Sequence, residues 1–229
     1  MDAALALKQR VWKQKAQHNI RVLLTALKAF KSKYEDFSAN AEKTLSEVSN
    51  NILLEHTILP SLQFPSKAGD LLAPLIPAKL YLKMKTMCCL KDIKEDIAIL
   101  YMDLNAVRNL LQEAYCHFSP DINWHVFMPI FTSMHYPKIL DLFSQIVDML
   151  SKDLDLKSSI RRSFDDAADE TFKLDLIQNG SQRNKEESKK KDLEPVLTTY
   201  MTCWMLNPYI NDALMESYLA SFQLELTST

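Results

Sequence analysis

The sequence predicts an all-α fold: an elongated bundle of three long coiled-coil-like helices with a short C-terminal helical hairpin. Three observations predict it. Glycine occurs only twice, at Gly69 and Gly180, and hairpins and sheet corners draw on glycine for backbone angles that other residues resist. Proline and glycine are both absent from 8–55, from 79–118 and from 138–177, so three long stretches lack a helix breaker. Along the first two, and along the third as far as Leu154 and less regularly beyond it, apolar residues recur at steps of three and four, the spacing that holds a stripe on one helix face.

The chain has 229 residues, of which 47% are hydrophobic. That is enough to bury a core and too apolar for a disordered tail. The 27 Lys and Arg against 29 Asp and Glu leave a formal charge of −2. The glycine count also excludes several chemistries. Phosphate loops, dinucleotide folds and nucleophile elbows need clustered glycines, because the backbone must turn sharply or approach the ligand closely.

The first helix is expected from about Lys8 to Glu55. Its stripe is Trp12, Ala16, Ile20, Leu23, Leu27, Phe30, Tyr34, Phe37, Ala41, Leu45, Val48 and Ile52. The step of four from Ala41 to Leu45 breaks the alternation and shifts the register. A helix of this length spans roughly 70 Å at 1.5 Å per residue, so it must lie along other long helices. Residues 57–79 form a proline-rich but apolar connection, expected to pack on the bundle. The second helix runs from about Lys79 to Phe118, with Ile93, Ile97, Leu100, Leu104, Val107, Leu111, Ala114 and Phe118 as its stripe. Residues 119–137 make an aromatic connection. The third helix begins near Pro137, a favoured first-turn position, and carries Ile139, Phe143, Ile146, Leu150, Leu154, Ile160, Phe164 and Ala168. Together these make one unit over 1–177.

Residues 178–191 are polar and charged and are read as a mobile loop. Residues 192–229 then form the hairpin. Its first helix runs from about Leu193 to Leu206 with Leu193, Val196, Leu197, Tyr200 and Trp204 inward. Asn207-Pro208 is the turn, and the last helix runs from about Asn211 to Leu224. The N-terminus begins with an acid and its apolar stretch is interrupted at Lys8, too short for a signal-peptide core. No transmembrane span is expected. Cys88, Cys89, Cys116 and Cys203 contain no C-x-x-C pair and read as reduced thiols of a nuclear or cytoplasmic protein.

Candidate chemistry is sparse. Glu113 and His117 lie one helical turn apart and Asp165, Asp166, Asp169 and Glu170 cluster, but a helical metal site needs ligands converging from several helices. Neighbours in sequence, Cys116 and His117 do not meet on a helix. No catalytic residue, cofactor or metal is assigned. Between Ala3 and Tyr34 the charges are Lys8, Arg10, Lys13, Lys15, Arg21, Lys28, Lys31 and Lys33, with no acid. Such a face either orients the helix against its neighbours or meets an acidic partner or nucleic acid. Without interleaved aromatics and with a negative net charge, orientation is the better reading, and direct nucleic-acid binding is not expected. Arg21-Val22-Leu23-Leu24 fits a short cyclin-docking pattern, but Leu23 falls on the stripe.

Rings in proline-held loops bury much area at little rotamer cost and make good interface anchors. Trp124, Phe127 and Tyr136, with Trp204, Pro208, Tyr209 and Ile210, are therefore expected to bind partners. The stripe residues Ile93, Ile97, Leu100 and Leu104 are expected to pair with another long-helical subunit in a heteromeric coiled coil.

The segment Tyr200-Met201-Thr202-Cys203-Trp204-Met205-Leu206-Asn207-Pro208-Tyr209-Ile210 resembles the C-terminus of the cyclin-dependent kinase 2-interacting protein family. That family ends on a short helix with Trp-Leu, two variable positions, then Pro-Tyr and an aliphatic residue. Trp204, Pro208, Tyr209 and Ile210 match, and Met205 stands where leucine is expected. A second stretch, His135-Tyr136 followed by Ile139, Leu140, Met149, Lys152, Leu154, Leu156 and Lys157, resembles the helix before it. The resemblance implies a non-catalytic adaptor associated with cyclin-dependent kinase 2, with AAA+ ATPases and a second small helical subunit, and with DNA replication, checkpoint and ribosome maturation. It implies a place in the nucleus and cytoplasm. Read without it, the stripes also suit a structural coiled-coil subunit of a cytoskeletal or kinetochore complex.

Overall fold

A computed structural model describes residues 3–53, 75–117, 129–177 and 193–227, with side-chain surroundings given for 3–50, 90–114, 129–164 and 194–227. The fold is all-α: the described residues form five helices and no strand. They are α1 (Ala3–Leu53), α2 (Leu75–His117), α3 (Tyr136–Ile177), α4 (Leu193–Leu206) and α5 (Asp212–Thr227). The expected boundaries hold within a few residues. α2 begins earlier than expected because Pro77 sits in its first turn, where a missing N–H costs nothing. No described helix is long and apolar enough to cross a membrane. Residues 54–74, 118–128 and 178–192 lie outside the described residues, and with them the packing of the first connection and the loop 178–191.

The chain divides into two units, to each of which α1, α2 and α3 all contribute. The first unit takes Met1–Lys33, Lys94–Asp153 and Tyr209–Thr229. Its core is Trp12, Ile20, Leu23 and Leu27 of α1, Leu100, Leu104 and Val107 of α2, Tyr136, Ile139, Phe143 and Ile146 of α3, and Met215, Leu219 and Phe222 of α5. Phe143 and Phe222 stack with ring centroids 4.5 Å apart. The ion pairs Lys15–Glu113 (3.4 Å) and Lys33–Asp96 fix α1 and α2 as antiparallel neighbours in this unit.

The connection 129–135 folds back on itself through an isolated bridge between Pro129 and His135. Successive backbone N–H groups there form an anion-holding concavity. Glu225 of α5 fills it: its Oε2 accepts from the N–H of Thr132 (2.9 Å), Ser133 (2.9 Å) and Met134 (3.3 Å), and its Oε1 accepts from the Ser133 hydroxyl. Gln17 donates to the Ile130 carbonyl at 2.6 Å, and the Arg21 guanidinium lies over the Phe131 ring. Phe131 is itself buried.

The second unit takes Tyr34–Ile93 and Leu154–Pro208. Its core is Tyr34, Phe37, Ala41 and Leu45 of α1, Leu90 and Ile93 of α2, Leu154, Lys157, Ile160 and Phe164 of α3, and Leu197 and Trp204 of α4.

Two registers differ from the expected stripes. Leu110 is buried where Leu111 was expected, and its carbonyl accepts the Trp12 indole N–H at 2.9 Å. Ser49 is buried in place of Val48. At Leu110 and Leu111 the apolar pattern leaves two adjacent positions open, and packing against α1 selects one. Val196, expected inward, is exposed.

Candidate interaction site

The C-terminal segment with the family-like spacing is built around a buried lysine. Lys157 lies on α3 and is fully buried, with 0% exposure. An ammonium taken out of water needs hydrogen bonds and compensating charge or π density. Lys157 Nζ donates to the Tyr34 hydroxyl at 3.1 Å and to Asn207 Oδ1. It also sits over two rings, 4.8 Å from the Tyr34 centroid and 5.4 Å from that of Trp204, where the ring quadrupole attracts a cation.

Local sequence explains why Asn207 is there. α4 ends at Leu206, and Asn207 takes the left-handed conformation with φ of 45°. Asparagine tolerates this angle better than other non-glycine residues, and proline follows because it cannot continue the helix. The turn brings the Asn207 amide oxygen back toward α3. Trp204, one turn earlier, is 0% exposed; its indole N–H donates to the Ser38 carbonyl at 3.2 Å and its ring lies 6.1 Å from Phe37.

Trp204 is therefore core, not an anchor offered to a partner. Tyr136 is likewise corrected. It is fully buried, its hydroxyl donates to the Val107 carbonyl at 2.5 Å, and its ring lies 5.3 Å from Trp12. Burial, helped by the Glu113 charge, pushes its phenol well above the usual tyrosine range. The same correction applies to Ile93, Ile97, Leu100 and Leu104. All four are buried by this chain's own helices, so none offers a face to a second subunit. Pro208 and Tyr209 are exposed, and Ile210 is half-buried. Trp124 and Phe127 lie outside the described residues. Of the cyclin-like pattern, Leu23 and Leu24 are both buried.

The basic residues of α1 take up orienting roles in part. Lys15 pairs with Glu113, Lys31 with Glu216 and Lys33 with Asp96. Among the described residues no cluster of three or more His, Cys, Asp or Glu could hold a metal. Cys203 is a free thiol.

What faces outward is a different set of residues. On α4 and its turn, Met205, Leu206 and Pro208 are exposed. On α1 they are Leu7, Val11 and Val22, and on α2 Ile99 and Met102. Spacing could have signalled these. Leu7 to Val11 is a step of four, Ile99 to Met102 a step of three, and Met102 to Ala106 again four. They form a second stripe turned away from the first. No family model matches this chain, and no curated protein is significantly similar to it.

Proposed function

We propose that this protein is a non-enzymatic adaptor, an assembly subunit that pairs with another long-helical subunit and joins it to a larger machine. The observation that carries this reading is the outward apolar set: Leu7, Val11, Val22, Ile99, Met102, Met205 and Leu206 lie exposed on helices whose inner stripes are already buried. Exposed apolar residues grouped on helix faces mark places where protein meets protein. The inner stripes build this chain's own core, and the outer ones are what remains for a partner.

The resemblance of Tyr200–Ile210 to the cyclin-dependent kinase 2-interacting protein family makes the proposal more specific. The larger machine is then an AAA+ ATPase assembly acting in the nucleus and cytoplasm, with roles in replication, checkpoint control and ribosome maturation, and cyclin-dependent kinase 2 is a further candidate partner. In this reading Pro208 and Tyr209 form the presented tip of the motif, while Trp204 and Asn207 hold the tip in place.

The test is co-purification of the full chain from cells, followed by mass spectrometry. Recovery of AAA+ ATPase subunits together with a second helical protein is the expected result. Recovery of tubulin or kinetochore components instead would replace the adaptor with a structural coiled-coil subunit.

A further inference from the structure

We propose that the outward groove between α1 and α2 of the first unit is the docking site for an amphipathic helix of another protein, with its acids aligned along the α1 side. The inference rests on the adaptor reading and assigns its surface. The ion pairs Lys15–Glu113 and Lys33–Asp96 set the register of the two antiparallel helices. Between these pairs, at equal rise per residue, Val22 comes level with Ala106 and Ala29 with Ile99. All four are exposed, Val22 by 47% and Ile99 by 54%, and Met102 beside them by 70%. Small residues alternating with larger apolar ones leave a shallow trough of the kind a third helix fills by ridges-into-grooves packing. Leu7 and Val11 continue the stripe toward the N-terminus of α1.

Charge names the occupant. Arg10, Arg21 and Lys28 recur at steps of eleven and seven, so they share one flank of the α1 stripe, and all three are exposed. Among the described residues none of them forms an ion pair. Arg21 lies over the Phe131 ring and Lys28 donates to the neutral amide of Gln223. α1 carries no acid before Glu35 that could neutralise this flank. On the α2 side the acid Glu113 is already partnered by Lys15. A guest helix therefore gains by facing acids toward the basic flank of α1, which also sets its orientation.

A photo-crosslinking phenylalanine analogue at position 102 of the full chain, expressed in cells, tests the groove. The expected crosslink maps to a heptad-patterned segment of a different protein, with more acids than bases on its flank. A crosslink to this chain or to a second copy of it, a crosslink to a basic or non-helical segment, or no crosslink overturns the proposal. The double variant Val22→Glu/Ile99→Glu should lower recovery of the crosslinked protein at least tenfold while leaving the melting temperature in place, and Ile99→Leu should not lower it. If the double variant retains its helical partner, the groove assignment fails and the adaptor reading stands. A crosslinked acidic helix from a protein outside any ATPase assembly supports the groove and counts against the ATPase assembly as the larger machine.

Discussion

Lys157 is the residue on which the second unit's polar interior turns. Tyr34, Trp204 and Asn207 all stand against this buried ammonium, which needs such partners out of water. Trp204→Ala removes a large ring, opens a cavity and thins that surround. It should destabilise the chain by roughly 3–5 kcal/mol, the range for large aromatic truncations in cores. Urea unfolding measures this directly; a loss below about 1 kcal/mol would mean that Trp204 is not core. Glu225 is the corresponding residue of the first unit. Burial acts to raise its carboxyl pKa, but the hydrogen bonds from Ser133, Met134 and Thr132 outweigh burial and hold it below the ordinary carboxylate range. The Glu225 carboxyl thus titrates at lower pH in the folded chain than in the unfolded one. The clamp's stability is present above the unfolded-state carboxylate pKa and is lost as pH falls through the folded-state value. Glu225→Gln should lower stability at neutral pH and flatten its acid dependence. Thermal melts of both proteins between neutral and acid pH check this, and parallel curves would rule out the clamp.

At the level of elements, each helix was legible because its period and its breakers agree. α1 through α3 follow from runs without proline or glycine, and α4 ends where Asn207-Pro208 says it should. Finer choices were not legible. Leu110 rather than Leu111 faces inward, and its carbonyl accepts the indole N–H of Trp12, a residue nearly a hundred positions away. Lys157 and Asp153 are buried on α3, which no apolar period predicts for a charged side chain. Only the tertiary partners of such a group turn it inward. α5 has a weak stripe in sequence, and what docks it is the Phe143–Phe222 stack and the Glu225 clamp. Phe222→Ala should therefore cost about 3–5 kcal/mol in denaturant unfolding. If the cost is negligible, α5 is not held by its apolar face.

For the molecule as a whole, the charges of α1 divide between two tasks. Lys15, Lys31 and Lys33 orient α1 against α2 and α5. Such exposed pairs are worth about 0–1 kcal/mol each, so they select an arrangement more than they stabilise it. Glu113→Gln should accordingly change unfolding free energy by less than about 1 kcal/mol, and high salt should shift the melting temperature only slightly. A large salt-dependent loss would mean that electrostatics, not burial, holds the first unit. Periodicity and breakers are local properties of the chain, so the all-α class, the approximate helix ends and most of the described inner-stripe positions follow from the residues alone. That Trp204, Tyr136 and the α2 stripe belong to this chain's own core is decided only by how its helices pack. A stripe's spacing says which residues share a face. What covers that face depends on how much apolar surface the chain's other helices bring to it.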